Sequence, residues 1–481
     1  MRSLVWLRSD LRTRDNTALH HAAKASPDGV VAAFIVSPEE WRAHDMAAVR
    51  VDFILRTLRR LSDDLHALHI PLLIAHAPRR ADVPGLVLDL ALRHGCAEVR
   101  CNIEYEVNES RRDERVRALL ESRGVGYVAH HDQTIVPPAE VRTGEGRFYT
   151  VFTPFRRAWL RVLDELGGAR ALPAPRSQRP VGIARSPVPE RVDGFDSSVD
   201  PALWPAGESA AMQSLRRFCQ SRIEGYNEHR DFPAEPGTSR TSPYLAVGSI
   251  SARQCLIAAL AANDGRADGG ERGPECWISE LIWREFYRHI LVGYPRVSMG
   301  RAFKAETERI PWSYDEEQFR RWTEGRTGFP IVDAAMRQLL QTGWMHNRLR
   351  MIAAMFLTKD LLIDWRWGER HFMRHLIDGD LAQNNGGWQW SASTGTDAAP
   401  YFRIFNPFSQ SRKFDPTGAF IRRYVPELAD LSDEDIHEPS ALPGLLRAGI
   451  DYPEPMVDHA LARDRAVAAF QALASRSGTG A

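Results

Sequence analysis

"SLVWLRSDLRTRDN", residues 3–16, decides how the first half of the chain folds. An apolar run, Leu4 to Leu7, gives way at once to charged residues with no GxGxxG, so the first strand is not followed by a dinucleotide phosphate loop. Similar runs recur at "VVAAFIV" (30–36), "IPLLIAHA" (70–77), "AEVRCN" (97–102) and "VGYVAHH" (125–131), separated by amphipathic stretches. Runs apolar at nearly every position belong to strands buried on both faces, which predicts an α/β domain with a parallel sheet over residues 1–130. One helix start is legible at "SPEEW": Ser37 as cap, Pro38 at the first helical position and Glu40 closing a capping box.

Residues 131–207 read as an interdomain linker. From Gly167 to Gly207 there are seven prolines and little periodicity, the pattern of a segment laid over a surface. Beyond it a 3.6-residue period dominates, which predicts an all-helical second domain over 208–472. Residues 473–481, ending "SRSGTGA", read as a disordered tail.

At 481 residues the chain exceeds one ordinary core, and two domains are expected. Lys+Arg and Asp+Glu balance at 62 each, so any nucleic-acid binding must come from a local patch. The five cysteines form no CxxC pair and no zinc-spaced cluster, which points to reduced thiols, a cytoplasmic location and no metal site. The amino terminus is charged too early for a signal peptide, and no apolar run reaches membrane length. Most of the 13 tryptophans lie after residue 270, which directs attention to the second half.

Three segments there carry an unusual face. In "WISELIWREFYRHIL" (277–291), Trp277, Glu280, Arg284 and Tyr287 fall on one side of a helix with Trp283 adjoining, opposite a core stripe of Ile278, Leu281, Ile282 and Ile290. Such a face either lines a pocket for a flat, polar-edged ligand or covers a neighbouring domain. In "WMHNRLRMIAAMFL" (344–357), Met345, Leu349, Ile352 and Phe356 make the buried stripe, while Trp344, Asn347, Arg348 and Met351 share another. That second face is either a solvated basic surface or a nucleic-acid surface. The "GTSRTS" run (237–242) offers hydroxyls and an arginine before a helical pattern, which suits a phosphate or an ordinary N-cap. "DGDLAQNNGGWQW" (378–390) adds two aspartates, adjacent asparagines and two tryptophans. Its glycines suit a loop and its tryptophans do not.

Taken together, "GTSRTSPYLAVG", "WISELIWREFYRH", "TGWMHNRLRM" and "DGDLAQNNGGWQWSASTGTDAAPYFRIFNP" resemble the photolyase and cryptochrome family of blue-light flavoproteins, and most closely its bacterial class I cyclobutane pyrimidine dimer photolyases. The resemblance runs from "VWLRSDLRTRDN" to "FIRRYVPEL" and so covers nearly the whole chain. It implies a Rossmann-like, antenna-binding α/β domain and a helical domain that holds FAD. Tyr226, Thr238, Ser239, Arg240, Thr241 and Ser242 would hold the diphosphate and adenine side. Trp277, Glu280, Arg350, Asp378 and Asp380 would line the rest, with Arg350 and Asp378 as an ion pair. Asn384 would face flavin N5, where a neutral amide can donate or accept without adding charge.

The resemblance also implies an ultraviolet-damaged DNA partner whose dimer is flipped into a cavity, which is easier for a badly stacked lesion. Trp283 and Trp390 would flank the pyrimidines with Met351 packed on them, and Glu280 would bond the base edges. Asn347 and Arg348 would reach the lesion and its phosphates, and Arg230, Arg403 and Gln410 the backbone. Between Asp397 and Pro426 five basic residues face two acids, supplying the local patch. His346 is followed by Asn347, where enzymes acting on the pyrimidine–pyrimidone photoproduct carry a histidine pair.

Trp312, Trp365 and Trp388 match the family's electron chain from surface to flavin; by spacing alone they are equally buried core aromatics. His44, Asn108 and Glu109 match positions that contact methenyltetrahydrofolate. The lysine expected near "YPRVSMGRAF" is replaced by Met299, so a folate, a deazaflavin or an empty antenna pocket all stay open. The implied activity is light-driven repair by a monomeric deoxyribodipyrimidine photo-lyase using reduced FAD. Its rivals are a cryptochrome-type photosensor, disfavoured by Asn384 and the lesion-facing set, and a dark electron-transfer flavoprotein.

Overall fold

The computed structural model describes residues 1–477. Five strands, β1 (Arg2–Leu7), β2 (Val30–Val36), β3 (Leu72–His76), β4 (Cys96–Asn102) and β5 (Gly126–His130), form one sheet in the order β3-β2-β1-β4-β5. Every pairing is parallel, with Ser3 opposite Val30 and Leu7 opposite Phe34. Each of β2's seven residues is buried, as a central strand covered on both faces requires. The order reverses between β1 and β4, so the carboxyl ends of these strands open a crevice where α/β sheets place ligands.

Contact density divides the chain into two compact units: residues 1–227, 239–295 and 377–380 in one, and residues 228–238, 296–376 and 381 onward in the other. The division does not follow the sequence boundary at 207. The reason lies in a buried ion network within the first unit. Arg253, from the helix Ala252–Ala261, donates to Asp15 at 3.0 Å and to Asp132 at 2.8 Å, and Asp132 also pairs with Arg12. Burial raises the Asp132 carboxyl, but Arg12 and Arg253 outweigh it and bring it down to about 2. A charge so buried stays only because its partners are complete.

Three local expectations are corrected. The helix Pro38–Ala43 does begin after Ser37 with Pro38 in its first turn, yet no side-chain cap forms; the Glu40 carboxylate instead lies within 4.8 Å of His44 and Glu109 ligand atoms. The expected linker contains the helix Phe152–Glu165, whose Phe152, Phe155, Trp159, Val162 and Leu163 are buried, partly on the helix Arg272–Gly293 through Phe155 and Phe286 at 5.1 Å. The helix His459–Ser477 runs into the segment read as a disordered tail, and residues 478–481 lie outside the described residues.

The second unit is helical, with an isolated bridge between Ser313 and Ile363. Its core gathers Trp312, Trp322, Trp365 and Trp388 with Leu349, Ile352 and Phe356. Among the described residues no helix is long and apolar enough to cross a membrane.

Candidate functional site

In the first unit, the helix Arg272–Gly293 buries Ile278, Leu281, Ile282 and Ile290 as its pattern requires. Trp277 is 3% exposed and tilts against Phe218 at 5.0 Å, and Phe218 meets Tyr226 edge-on at 5.7 Å. Glu280 is half-buried. Trp283 stacks on Phe152 at 3.7 Å and 6°, so one face of its indole is already covered. Arg284 donates to the Gln133 carbonyl at 2.8 Å. Burial and then the Arg288 cation lower its guanidinium to about 10.

Arg288, which the sequence reading missed, pairs with Asp380, and its Nη1 is buried without a partner among the described residues. Asp378 is 7% exposed, and Arg50 donates to the carbonyl of Gly379 between the two aspartates. In the hydroxyl run, Ser239 and Thr241 share a hydrogen bond at 2.9 Å. Thr241 stands before the helix Ser242–Val247 without a side-chain cap, so the N-cap reading is not realised. Arg240 has φ of 53° and lays its guanidinium over Trp204 at 4.5 Å; left-handed backbone at a non-glycine is held only where its surroundings fix it.

Also in the first unit, His44, Asn108 and Glu109 come together. Asn108 Nδ2 meets His44 Nε2 at 3.1 Å, and His44 Nδ1 lies 3.4 Å from Glu109. Burial lowers His44. Burial and neighbouring carboxylates raise both Glu106 and Glu109.

In the second unit, the part of "DGDLAQNNGGWQW" from Leu381 onward forms the helix Leu381–Ser391 rather than a loop, and Gly387 in it is exposed. Asn384 is 9% exposed, and its Nδ2 donates to the main-chain carbonyl of Glu369 at 2.9 Å. A carbonyl only accepts, so the amide's orientation is settled and its Oδ1 is what it offers a ligand. Asn385 bonds the Glu369 carboxylate at 2.8 Å and accepts from Gln389 at 2.8 Å. This brace was missed because "NN" does not say which amide supports the other.

Trp365 and Trp388 are 0% and 2% exposed, and Trp312 is 8% exposed. Trp388's indole N–H is buried and donates to nothing among the described residues. Gly368 admits it: a Cβ there would fall 2.1 Å from the Trp388 ring.

The helix Asn347–Met355 exposes the mixed face as read, with Asn347 exposed and Arg348, Arg350 and Met351 half-buried. His346 caps it, accepting from the Arg348 N–H at 3.2 Å. Arg350 donates to the Met345 carbonyl at 2.8 Å. Thr238, Arg230, Trp390 and Gln410 are half-buried and Arg403 is exposed. Arg348 donates to Asp231 at 2.7 Å, with Arg230 3.9 Å from the same carboxylate. The patch beyond Asp397 is thinner than its composition: Arg412 pairs with Glu438 at 2.8 Å and Arg422 with Asp433 at 3.0 Å, acids outside the window that was counted.

Comparison with known proteins identifies the family. A model described as DNA photolyase matches residues 3–176, and one described as the FAD binding domain of DNA photolyase matches residues 277–472. The deoxyribodipyrimidine photo-lyase of Vibrio cholerae is 47% identical over 96% of this chain and 97% of its own, and that of Escherichia coli 46% identical over 98% of each. Among solved structures, a class III photolyase from Agrobacterium tumefaciens is 35% identical over 98% of each chain with a TM-score of 0.82. A Synechocystis cryptochrome is 27% identical over 97% of this chain and 98% of its own, with a TM-score of 0.87. With relatives at such identity from end to end, and both family models met in order along it, the chain belongs to the DNA photolyase family.

Proposed function

We propose that the protein is a light-dependent deoxyribodipyrimidine photo-lyase that splits cyclobutane pyrimidine dimers in ultraviolet-damaged DNA. Reduced FAD, when bound and illuminated, supplies an electron that opens the cyclobutane ring and is then returned, with no net redox change. The observation that carries the reading is Asn384. With Nδ2 committed to the Glu369 carbonyl, its Oδ1 would be left to accept an N–H that a reduced flavin ring carries. An amide does this without setting a negative charge beside the reduced anion. Tyr226, Thr238 and the run from Ser239 to Ser242 are assigned to the diphosphate and adenine side. Trp277, Arg350, Asp378 and Asp380 are assigned to the flavin itself.

Glu280, Trp283, Asn347, Arg348, Met351 and Trp390 are assigned to the lesion, with Arg230, Arg403 and Gln410 on the DNA backbone. Trp312, Trp365 and Trp388 are assigned to electron supply. A Trp388 indole with no acceptor for its N–H keeps its proton when oxidised and refills from a neighbouring ring. His44, Asn108 and Glu109 are assigned to methenyltetrahydrofolate, whose pterin has an amine and N–H edge that a carboxylate such as Glu109 would hold. An absorption spectrum of the purified holoprotein separates folate from deazaflavin. The protein is proposed to act as a monomer in the cytoplasm, where its five cysteines, none of them in a disulfide, remain reduced.

The cryptochrome reading gains the Synechocystis likeness at 27% identity, against photo-lyases at 46–47%. Dimers in DNA are counted after illumination of the reduced holoprotein and after a matched dark incubation. Loss confined to the illuminated sample supports repair, and none in the light overturns it in favour of a photosensor.

A further inference from the structure

We propose that Trp322, Trp367 and Tyr314 form a second branch of the electron supply, separate from Trp365 and Trp312, that leaves Trp388 and ends at the solvent-exposed phenol of Tyr314. The proposal rests on the flavin reading above, with Trp388 as the first donor.

The branch is a continuous run of rings within the second unit. Trp388 meets Trp322 edge-on, with centroids 6.0 Å apart. Trp322 stacks on Phe319 at 5.7 Å, Phe319 meets Trp367 at 5.1 Å, and Trp367 meets Tyr314 at 5.7 Å. Exposure rises along the run, from 0% at Trp322 to 61% at Tyr314. Contacts at these separations leave no saturated gap to tunnel through, and Phe319 serves as a bridge because its ring is too hard to oxidise.

Packing alone also stacks buried aromatics. What distinguishes this run is where the protons can go. Trp388's N–H has no partner among the described residues. Trp322's donates to the Ala353 carbonyl at 3.2 Å, and an amide carbonyl does not take up a proton. Both indoles therefore remain cationic when oxidised and pass the hole outward. Tyr314 is different: its hydroxyl lies 3.5 Å from the Asp364 carboxylate. Oxidised there, the phenol loses one electron inward to Trp367 and its proton to Asp364 or water, leaving a neutral radical. A thiol reductant in solution returns the hydrogen atom and is itself oxidised. The flavin has gained one electron, and the relay is restored.

The test uses holoprotein with oxidised FAD, illuminated without oxygen in the presence of a thiol. Wild type is compared with Trp365→Phe, Trp365→Phe/Trp367→Phe and Trp365→Phe/Tyr314→Phe, all matched for bound FAD. Trp367 and Tyr314 are at least partly exposed, so their replacement spares the buried core that Trp322→Phe would disturb. Trp365→Phe is expected to keep a residual rate of flavin reduction, and adding Trp367→Phe to lower it about tenfold. Electron paramagnetic resonance of frozen, illuminated Trp365→Phe should show a tyrosine radical that vanishes when Tyr314→Phe is added. Complete loss of photoreduction in Trp365→Phe overturns the branch. So does an unchanged rate on adding Trp367→Phe, or a tyrosine radical that survives Tyr314→Phe. If wild type itself is not photoreduced, the reading of the flavin supply fails and the branch falls with it.

Discussion

The Asn384 amide nitrogen donates to the main-chain carbonyl of Glu369 at 2.9 Å. This one bond turns an amide that could face either way into a fixed acceptor. Replacing Asn384 by Asp keeps the size, sets a carboxylate against the Glu369 carbonyl and places negative charge where the reduced anion is expected. Asn384→Asp should speed dark reoxidation of the reduced flavin by about tenfold, the scale of one hydrogen bond lost beside a charge. Reoxidation followed by absorbance checks this, and an unchanged rate counts against the assignment.

Trp365 is 0% exposed and opens the helix Trp365–His375. Trp365→Phe should slow photoreduction of oxidised FAD, while chemically reduced protein still repairs. Equal loss of both, measured on the same preparation, refutes the electron-supply assignment.

Gly368 faces the Trp388 ring at 2.1 Å and Leu357 at 2.7 Å from where a Cβ would stand. Gly368→Ala must push Trp388 aside, which costs about 1–3 kcal/mol as overpacking in a closed core. A lowered melting temperature with a blue- or red-shifted tryptophan emission is expected; an unchanged melting temperature contradicts the contact.

Arg348 is paired with Asp231 at 2.7 Å and lies over Phe414 at 4.4 Å. Arg348→Ala should weaken binding of dimer-bearing DNA and reduce the slope of log K against log salt by about 1. Asp231→Asn, which frees the same guanidinium, should not weaken it. Binding isotherms at several salt concentrations decide, and an unchanged slope in Arg348→Ala argues against a phosphate role.

Lys359 is fully buried, 2.8 Å from Ser393 Oγ and 3.8 Å from the centre of the Phe470 ring. Burial, with a smaller push from Lys304, lowers its ammonium from 10.5 to about 7. Between those values the unfolded chain binds the proton and the folded chain does not, so stability should rise with pH from about 7 towards 10. Denaturant unfolding should show this rise, of the order of a few kcal/mol, and Lys359→Met should flatten it.

The parallel sheet was legible because its strands are apolar almost throughout: β2 was read at its observed limits, Val30 to Val36, and β3, Leu72–His76, within the run read as 70–77. The helix Phe152–Glu165 carries an apolar residue every three or four positions and was equally legible, but it was absorbed into a linker defined by the run of prolines after Gly167. The capping box failed because spacing does not fix where a side chain turns: Ser37 makes no side-chain cap and the Glu40 carboxylate lies near His44 instead.

The candidate site was legible as residue types and illegible as partners. Asp231, distant in sequence from Arg348, adds an acid to a face read as purely basic. The Glu369 carbonyl that orients Asn384 belongs to the main chain and leaves no mark in composition. Trp322 and Trp367 drew no attention because ring-to-ring approach depends on how helices pack, not on spacing within one segment.

The most direct measurement follows the electron through one turnover. Fully reduced holoprotein is mixed with an equal amount of DNA carrying a single dimer, flashed with blue light without oxygen, and assayed for both dimer and flavin spectrum. Cyclic transfer predicts that dimers disappear while the flavin ends as reduced as it began. Dimers untouched by light, or dimer loss matched by net oxidation of the flavin, would contradict it.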